Sequence, residues 1–405
     1  MPVGLKERPT LKPIAGIRLG TAQAGIKYAG RGDLVVMEIA TGAQVAGVFT
    51  RNRFCAAPVL VAREHLVAAR ARALVINAGN ANAGTGEQGL RDARDTCAAV
   101  AAALGCKTEE VLPFSTGVIG ECLPMERVLA GVVDCCKNLS ESGWEDAARG
   151  IMTTDTVPKG VSRDFRLGGK GVRLTGIVKG AGMIRPDMAT LLAFVATDAA
   201  LAPEALQAAL NQATAASFNR ITVDGDTSTN DSCILIATGR SGVRVERPEG
   251  ADFETFCRQL KEVFLELAMA VIRDAEGATK FITIDVTGGA SEQDCLNVAY
   301  TVAHSPLVKT AFFASDPNWG RILAAVGRAR VSAMDIVSVS LFLDDLCIVE
   351  RGAPARGYSE QKGQEIMSRE EITVRIDLGS GRHCARVWTS DLSHEYVRIN
   401  AEYRT

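Results

Sequence analysis

The amino-acid sequence predicts an α/β protein, with a main domain over residues 1–280 and a smaller α+β domain over 281–405. Three observations point there. A chain of 405 residues is too long for one simple core, so two domains or one large intertwined unit are expected. Through the first part, short apolar runs ending in Gly- and Asn-rich loops alternate with stretches of helical periodicity. From "KFITIDVTGGA" (280–290) onward the pattern turns to apolar–polar alternation, which suits half-buried strands.

The elements follow in order. "DLVVMEIATGAQVAGVFT" (33–50) reads as two short β segments around a Gly-containing turn. "ARALVINAGNANAGTGEQG" (71–89) is a strand entering a loop. "LRDARDTCAAVAAALG" (90–105) has helical spacing and a terminal Gly suited to a C-cap. "EEVLPFSTGVIGECLPM" (109–125) is a second strand-to-loop passage, with Thr116 and Gly117 placed in the loop. "LAPEALQAALNQATAASF" (201–218) is a helix with Pro203 in its first turn. "DFETFCRQLKEVFLELAMAVIRDAEG" (252–277) is the longest helical stretch, with Asp252 as N-cap and Gly277 at its end. Beyond it, "IVSVSLFL" (336–343), "EITVRIDLG" (371–379) and "CARVWTSDLSHEYVRINAEYRT" (384–405) alternate, and one helix near 291–303 interrupts them.

Bulk composition excludes several function classes. Forty-five Lys and Arg against 47 Asp and Glu leave a net charge of −2, with no basic excess for a nucleic-acid backbone or an anionic membrane. No window nears the roughly 20 apolar residues of a membrane span, and "MPVGLKERPTLKPIAG" lacks the apolar core of a secretory signal. Eleven scattered Cys with no CxxC, beside four His, read as free thiols in a reducing cytoplasm rather than as a metal site. Asp224 and Asp226 in "FNRITVDGDTSTNDS" resemble a calcium loop, but no Glu stands where its last ligand belongs. "NAGNANAG" is a loose match to a phosphate cradle and lacks both nucleotide-binding signatures.

One stretch raises a chemical question. "KGAGMIRPDMATLLAF" (179–194) sets Thr190 between a Gly- and Pro-bearing turn and an apolar run. A hydroxyl is a weak nucleophile without a base beside it, and none of the four His is near in sequence. Opening the Ala189–Thr190 bond would give Thr190 an α-amine of pKa about 7.7–8.0, a base on the same residue. On spacing alone Thr190 reads first as an ordinary strand-opening Thr. Thr116 and Gly117 carry oxyanion-hole equipment, a hydroxyl and a backbone N–H that can approach closely, or form a plain turn. "TTDT" (153–156) suits a polar substrate or a helix cap.

Together these passages resemble a known family. The 179–199 segment resembles the self-cleavage region of the ornithine acetyltransferases, also called glutamate N-acetyltransferases, of arginine biosynthesis. "VFTRN", "INAGNANAGTG", "STGVIG", "TTDT", "NRITVDGDTSTND", "SDPNWGRI" and "INAEY" are similar to the family in its order, from about residue 10 to the C-terminus. The resemblance implies a layered α-β-β-α sandwich of the N-terminal-nucleophile type with mixed sheets. It implies self-cleavage at Ala189–Thr190 into chains 1–189 and 190–405, assembled as an α2β2 heterotetramer. Thr190 matches the nucleophile, and Thr116 and Gly117 the oxyanion-stabilising pair. Thr153, Lys179, Thr190, Glu276, Asn400 and Thr405 match substrate-binding positions. Which of Thr153, Thr154 and Thr156 makes the contact stays open, and Arg404 stands where a small hydroxyl residue is expected.

The implied reaction moves acetyl from N2-acetylornithine to glutamate through an acetyl ester on Thr190. It needs neither metal nor organic cofactor, and whether acetyl-CoA is a further donor is left open by the residues. Two other readings stand beside it. One is an N-terminal-nucleophile amidohydrolase or aminopeptidase, with water as acceptor. The other is a non-catalytic binding protein on the same fold.

Overall fold

The structure is a computed structural model and describes residues 2–5, 9–185, 191–332 and 334–403. The chain divides into two compact units. The larger comprises residues 7–219 and 226–271, and the smaller residues 1–6, 220–225 and 272–405.

The larger unit is built on two facing sheets. One has four strands, in the order Ile17–Ala22, Leu34–Ile39, Ala73–Asn80, Val111–Val118. The other has five, in the order Gln44–Phe49, Ser232–Ala237, Leu192–Thr197, Lys170–Lys179, Lys159–Leu167. Both are mixed: Ala73–Asn80 pairs in parallel with Val111–Val118, and Ser232–Ala237 in parallel with Leu192–Thr197, while the other pairings are antiparallel. Alternate side chains of both sheets meet in one core, with Val35, Met37, Leu74, Ile76 and Phe114 facing Ile177, Leu192, Phe194, Ile234 and Ile236. Phe114 and Phe194 bridge the sheets edge to face at 5.1 Å, a contact of about 0.5–1.5 kcal/mol beyond its buried area.

Helices cover the outer faces. Leu34, Val36, Val75 and Val111 pack with residues of helices Gly86–Leu104 and Met125–Lys137. On the other side lie helices Pro203–Ala216 and Ala251–Arg273: Thr214 bonds the buried Cys233 thiol, and Leu267 stands against Gly176. The layers are therefore α-β-β-α, as the family resemblance implies. Leu34–Ile39 and Gln44–Phe49, adjacent in sequence, belong to different sheets. "LVVMEI" is apolar almost throughout because both faces of its strand are buried.

The smaller unit holds a seven-stranded sheet in the order Ile221–Thr222, His383–Ser390, Phe281–Gly289, Glu371–Asp377, Ser340–Leu343, Leu346–Glu350, Ala353–Pro354. Ile282, Ile284, Val374 and Ile376 share its core with Val298, Val302 and Phe312 of the helices Glu292–Ala303 and Pro306–Phe313. Ser291 caps the first of these through the Asp294 amide. Further helices at Trp319–Gly327, Glu360–Met367 and His394–Ala401 go beyond the single helix read from the sequence. The longest helix begins at Ala251, so Asp252 lies in its first turn rather than at the N-cap. There its charge still complements the helix dipole.

Candidate active site

Thr116 and Gly117 lie inside the strand Val111–Val118, not in a loop after it. Thr116 is buried, and Gly117 stands opposite Gly79 on Ala73–Asn80 with a φ of +137°. A Cβ on Gly117 would come within 2.1 Å of the Gly79 carbonyl carbon and 2.4 Å of the Asn80 nitrogen, so only glycine fits.

The surrounding Asn-rich loop serves this strand end rather than a phosphate. Asn77 accepts a hydrogen bond from Ser115 Oγ at 2.5 Å. Asn80 Oδ1 accepts from the Asn82 amide, and Asn82 Nδ2 donates to the Gly89 carbonyl. Asn230, of the "STND" run, donates to the carbonyls of Ala81 and Ser115 at 2.6 and 2.9 Å, fixing the residue before Thr116.

Lys179 ends the strand Lys170–Lys179 of the five-stranded sheet and is half-buried. Its Nζ donates to Thr116 Oγ1 at 2.8 Å, joining two residues that lie 63 apart in sequence. Behind it sits a carboxylate that the sequence reading left as a cap or substrate contact. Asp155, in the turn after helix Trp144–Gly150, pairs with Lys159 at 2.5 Å, both side chains being 1% exposed. Its Oδ1 also accepts the Gly180 amide at 2.8 Å, and its Oδ2 the Thr153 amide at 3.0 Å. Thr153 is thus tied by its backbone to the residue that also holds the amide next to Lys179. Burial pushes the Asp155 carboxyl up, but the ammonium groups of Lys159 and Lys179 outweigh it and hold it below the usual carboxylate range. Asp231, at the head of strand Ser232–Ala237, goes the other way. It is 3% exposed, its Oδ2 has no hydrogen-bond partner among the described residues, and burial raises its pKa well above the ordinary value despite Ser228 and Lys179.

In the smaller unit, Asn400 Nδ2 donates to Glu276 Oε2 at 2.7 Å. The approach depends on Gly277, whose φ is +67° and whose Cβ would meet Ser393 Oγ at 2.6 Å. Ser393 donates to the Gly277 carbonyl and caps helix His394–Ala401, which carries Asn400. Tyr396, one turn earlier, donates its hydroxyl to Asp224. Asp224 of the calcium-like loop is therefore engaged by a phenol. Ala189, Thr190 and Thr405, with Arg404, lie outside the described residues.

A model of the ArgJ family matches residues 18–405. The chain belongs to the ArgJ family. Among its ArgJ relatives, "Arginine biosynthesis bifunctional protein ArgJ" of Pseudomonas fluorescens (strain Pf0-1) is 55% identical over the full length of both chains. The protein of the same name from Methylococcus capsulatus (strain ATCC 33009 / NCIMB 11132 / Bath) is 58% identical, covering 98% of this chain and 97% of its own. The crystal structure of an ArgJ chain from Bacillus halodurans is 37% identical with a TM-score of 0.50, and covers 52% of this chain and 99% of its own.

Within this ArgJ member, Asp155, Lys159, Asn230 and Asp231 are the residues of the Thr116–Lys179 centre that sequence reasoning did not assign. Asp155, Asn230 and Asp231 lie in motifs it quoted. The Gly180 amide that Asp155 holds, and the Ala81 and Ser115 carbonyls that Asn230 meets, lie in other strands and loops, and no local spacing encodes them.

Proposed function

We propose that the chain is an acetyltransferase of arginine biosynthesis. It transfers acetyl from N2-acetylornithine to glutamate through an ester on Thr190, after the Ala189–Thr190 bond opens by self-cleavage. The observation that carries this reading is the Thr116 hydroxyl and Gly117 backbone, built into a rigid strand end with an ammonium group 2.8 Å from Thr116 Oγ1. That is equipment for stabilising a negative oxygen. Family membership along residues 18–405 supports the pathway.

In the first half-reaction Thr190 Oγ1 attacks the acetyl carbonyl carbon and its proton passes to the Thr190 α-amine. The C–N bond breaks as that proton moves to the departing amine of ornithine. In the second, the glutamate amine attacks the ester, the C–O bond breaks and the proton returns to the hydroxyl. Each tetrahedral intermediate carries a negative oxygen that Thr116 O–H and the Gly117 N–H serve. Lys179 suits a substrate α-carboxylate and Glu276 an ammonium group, with Asn400 orienting the Glu276 carboxylate. Thr153 and Thr405 complete the proposed substrate contacts.

No helix among the described residues is long and apolar enough to cross a membrane, and all eleven cysteines are free thiols. The enzyme proposed here works in the cytoplasm as an α2β2 assembly. The test feeds purified protein acetylornithine with and without glutamate and runs it on a denaturing gel. Two bands and glutamate-dependent N-acetylglutamate are expected, and Thr190→Ala should give one band and no transfer. Acetate release indifferent to glutamate, or full activity from an uncut chain, would overturn the proposal.

A further inference from the structure

We infer that Lys179 works through Thr116 as a positioning residue of the oxyanion site, by donating to the Thr116 hydroxyl oxygen and so directing the hydroxyl proton at the developing negative oxygen. The inference rests on the acetyl-transfer reading above and adds a role to Lys179 that substrate binding does not require.

A hydroxyl has one proton and two lone pairs, whereas an ammonium has three protons and can accept nothing. In the 2.8 Å contact between Lys179 Nζ and Thr116 Oγ1, the hydroxyl oxygen must therefore be the acceptor. Its own proton is left to donate elsewhere, pointing away from Lys179. Thr116 is 7% exposed, so few competing acceptors reach it from solvent. A hydroxyl that accepts from a cation is also a stronger donor, because the bonds polarise one another in a low dielectric.

Asp155, whose charge acts on Lys179, also pairs with the ammonium of Lys159 at 2.5 Å. A cation directly behind the hydroxyl that meets the oxyanion favours an oxygen that turns negative only in the transition state. The Gly180 amide, held by Asp155 at 2.8 Å, fixes the backbone immediately after Lys179 and so the geometry of the contact.

A double-mutant cycle on kcat tests this. Thr116→Ala should lower kcat by roughly 10²–10³-fold, the usual loss of one oxyanion donor. Lys179→Met should lower it about 10-fold or more, with Lys179→Arg recovering much of that. Added to Thr116→Ala, Lys179→Met should cost no further kcat, because the hydroxyl it acts through is gone. Any change in KM belongs to carboxylate binding and is read separately. If Lys179→Met lowers kcat by the same factor with and without Thr116, the inference is wrong. Where the variants mature slowly, the same cycle read on the rate of self-cleavage decides, since that step forms an equivalent oxyanion. Wild-type protein runs in parallel. Absence of acetyl transfer by wild type counts against the functional reading, while additivity in an active enzyme counts against this inference alone.

Discussion

Replacing Lys159 with Met should destabilise the larger unit through the carboxylate it leaves behind. Both members of the Asp155–Lys159 pair are 1% exposed and 2.5 Å apart. Removing one partner of a buried pair costs about 3–5 kcal/mol, mostly as the penalty of an uncompensated buried charge. Asp155 would keep the Thr153 and Gly180 amides and the nearby Lys179 charge, so the low end, about 3 kcal/mol, is expected. For a unit of this size each kcal/mol moves Tm by about 2–4 °C, which gives a fall on the order of 10 °C by calorimetry. Lys159→Met with Asp155→Asn should regain part of this, because no unpaired charge remains. Recovery will be incomplete, since an Asn amide puts its own N–H groups against a backbone donor. A Tm within about 2 °C of wild type for Lys159→Met, or simple additivity in the double variant, would refute the reasoning.

The pH dependence of Asp155 follows from the same pair. Its folded pKa lies below the ordinary carboxylate value, so its contribution is full above about pH 3.9 and is lost as pH falls below that. Asp155→Asn should therefore flatten the acid limb of a stability-versus-pH curve. Lys309 shifts in the same direction but at alkaline pH, because burial penalises its charged form and lowers its pKa to about 8. The folded state then holds fewer protons than the unfolded one above pH 8, and stability of the smaller unit should rise from there toward pH 10. Lys309→Met should remove that rise in thermal melts. Gly117→Ala should cut turnover at least about 10²-fold and lower Tm, since its Cβ would sit 2.1 Å from the Gly79 carbonyl carbon. Glu276→Gln should raise KM for acetylornithine roughly 10-fold with a smaller change in kcat, measured by steady-state kinetics.

Local signals carried the elements well and their partners poorly. Helix Gly86–Leu104 and its cap were legible because apolar spacing and Gly105, with a φ of +67°, are local facts. The sheet partition was not, because Leu34–Ile39 and Gln44–Phe49 read alike as short apolar strands yet pair with Ile17–Ala22 and Ala73–Asn80 in one case and Ser232–Ala237 in the other. The helices of the smaller unit beyond Glu292–Ala303 were hidden by length. Pro306–Phe313, Glu360–Met367 and His394–Ala401 have eight residues each, about two turns in which helical and alternating periods are hard to separate.

The same division holds in the site, with a chemical consequence. Thr116, Gly117 and Lys179 were named from motifs, but nothing in a motif says that an ammonium donates to that hydroxyl. "TTDT" and "NAGNANAG" were ambiguous between ligand and scaffold because Asn, Asp and Thr serve both. Within these motifs, Asn77, Asn80 and Asn82 bond to neighbouring chain, and Asp155 to two amides and an ammonium. A polar group whose bonds are filled by the fold has little left for a ligand, and its value to the reaction is stiffness. Thr116 differs, since its hydroxyl oxygen accepts from a cation and leaves its proton to give. Stiffness around that proton matters because an oxyanion donor contributes only where it already points when charge develops. A centre so braced should lose more activity from a cut in the bracing, at Asn230 or Asp155, than the distance of those residues from the substrate would suggest.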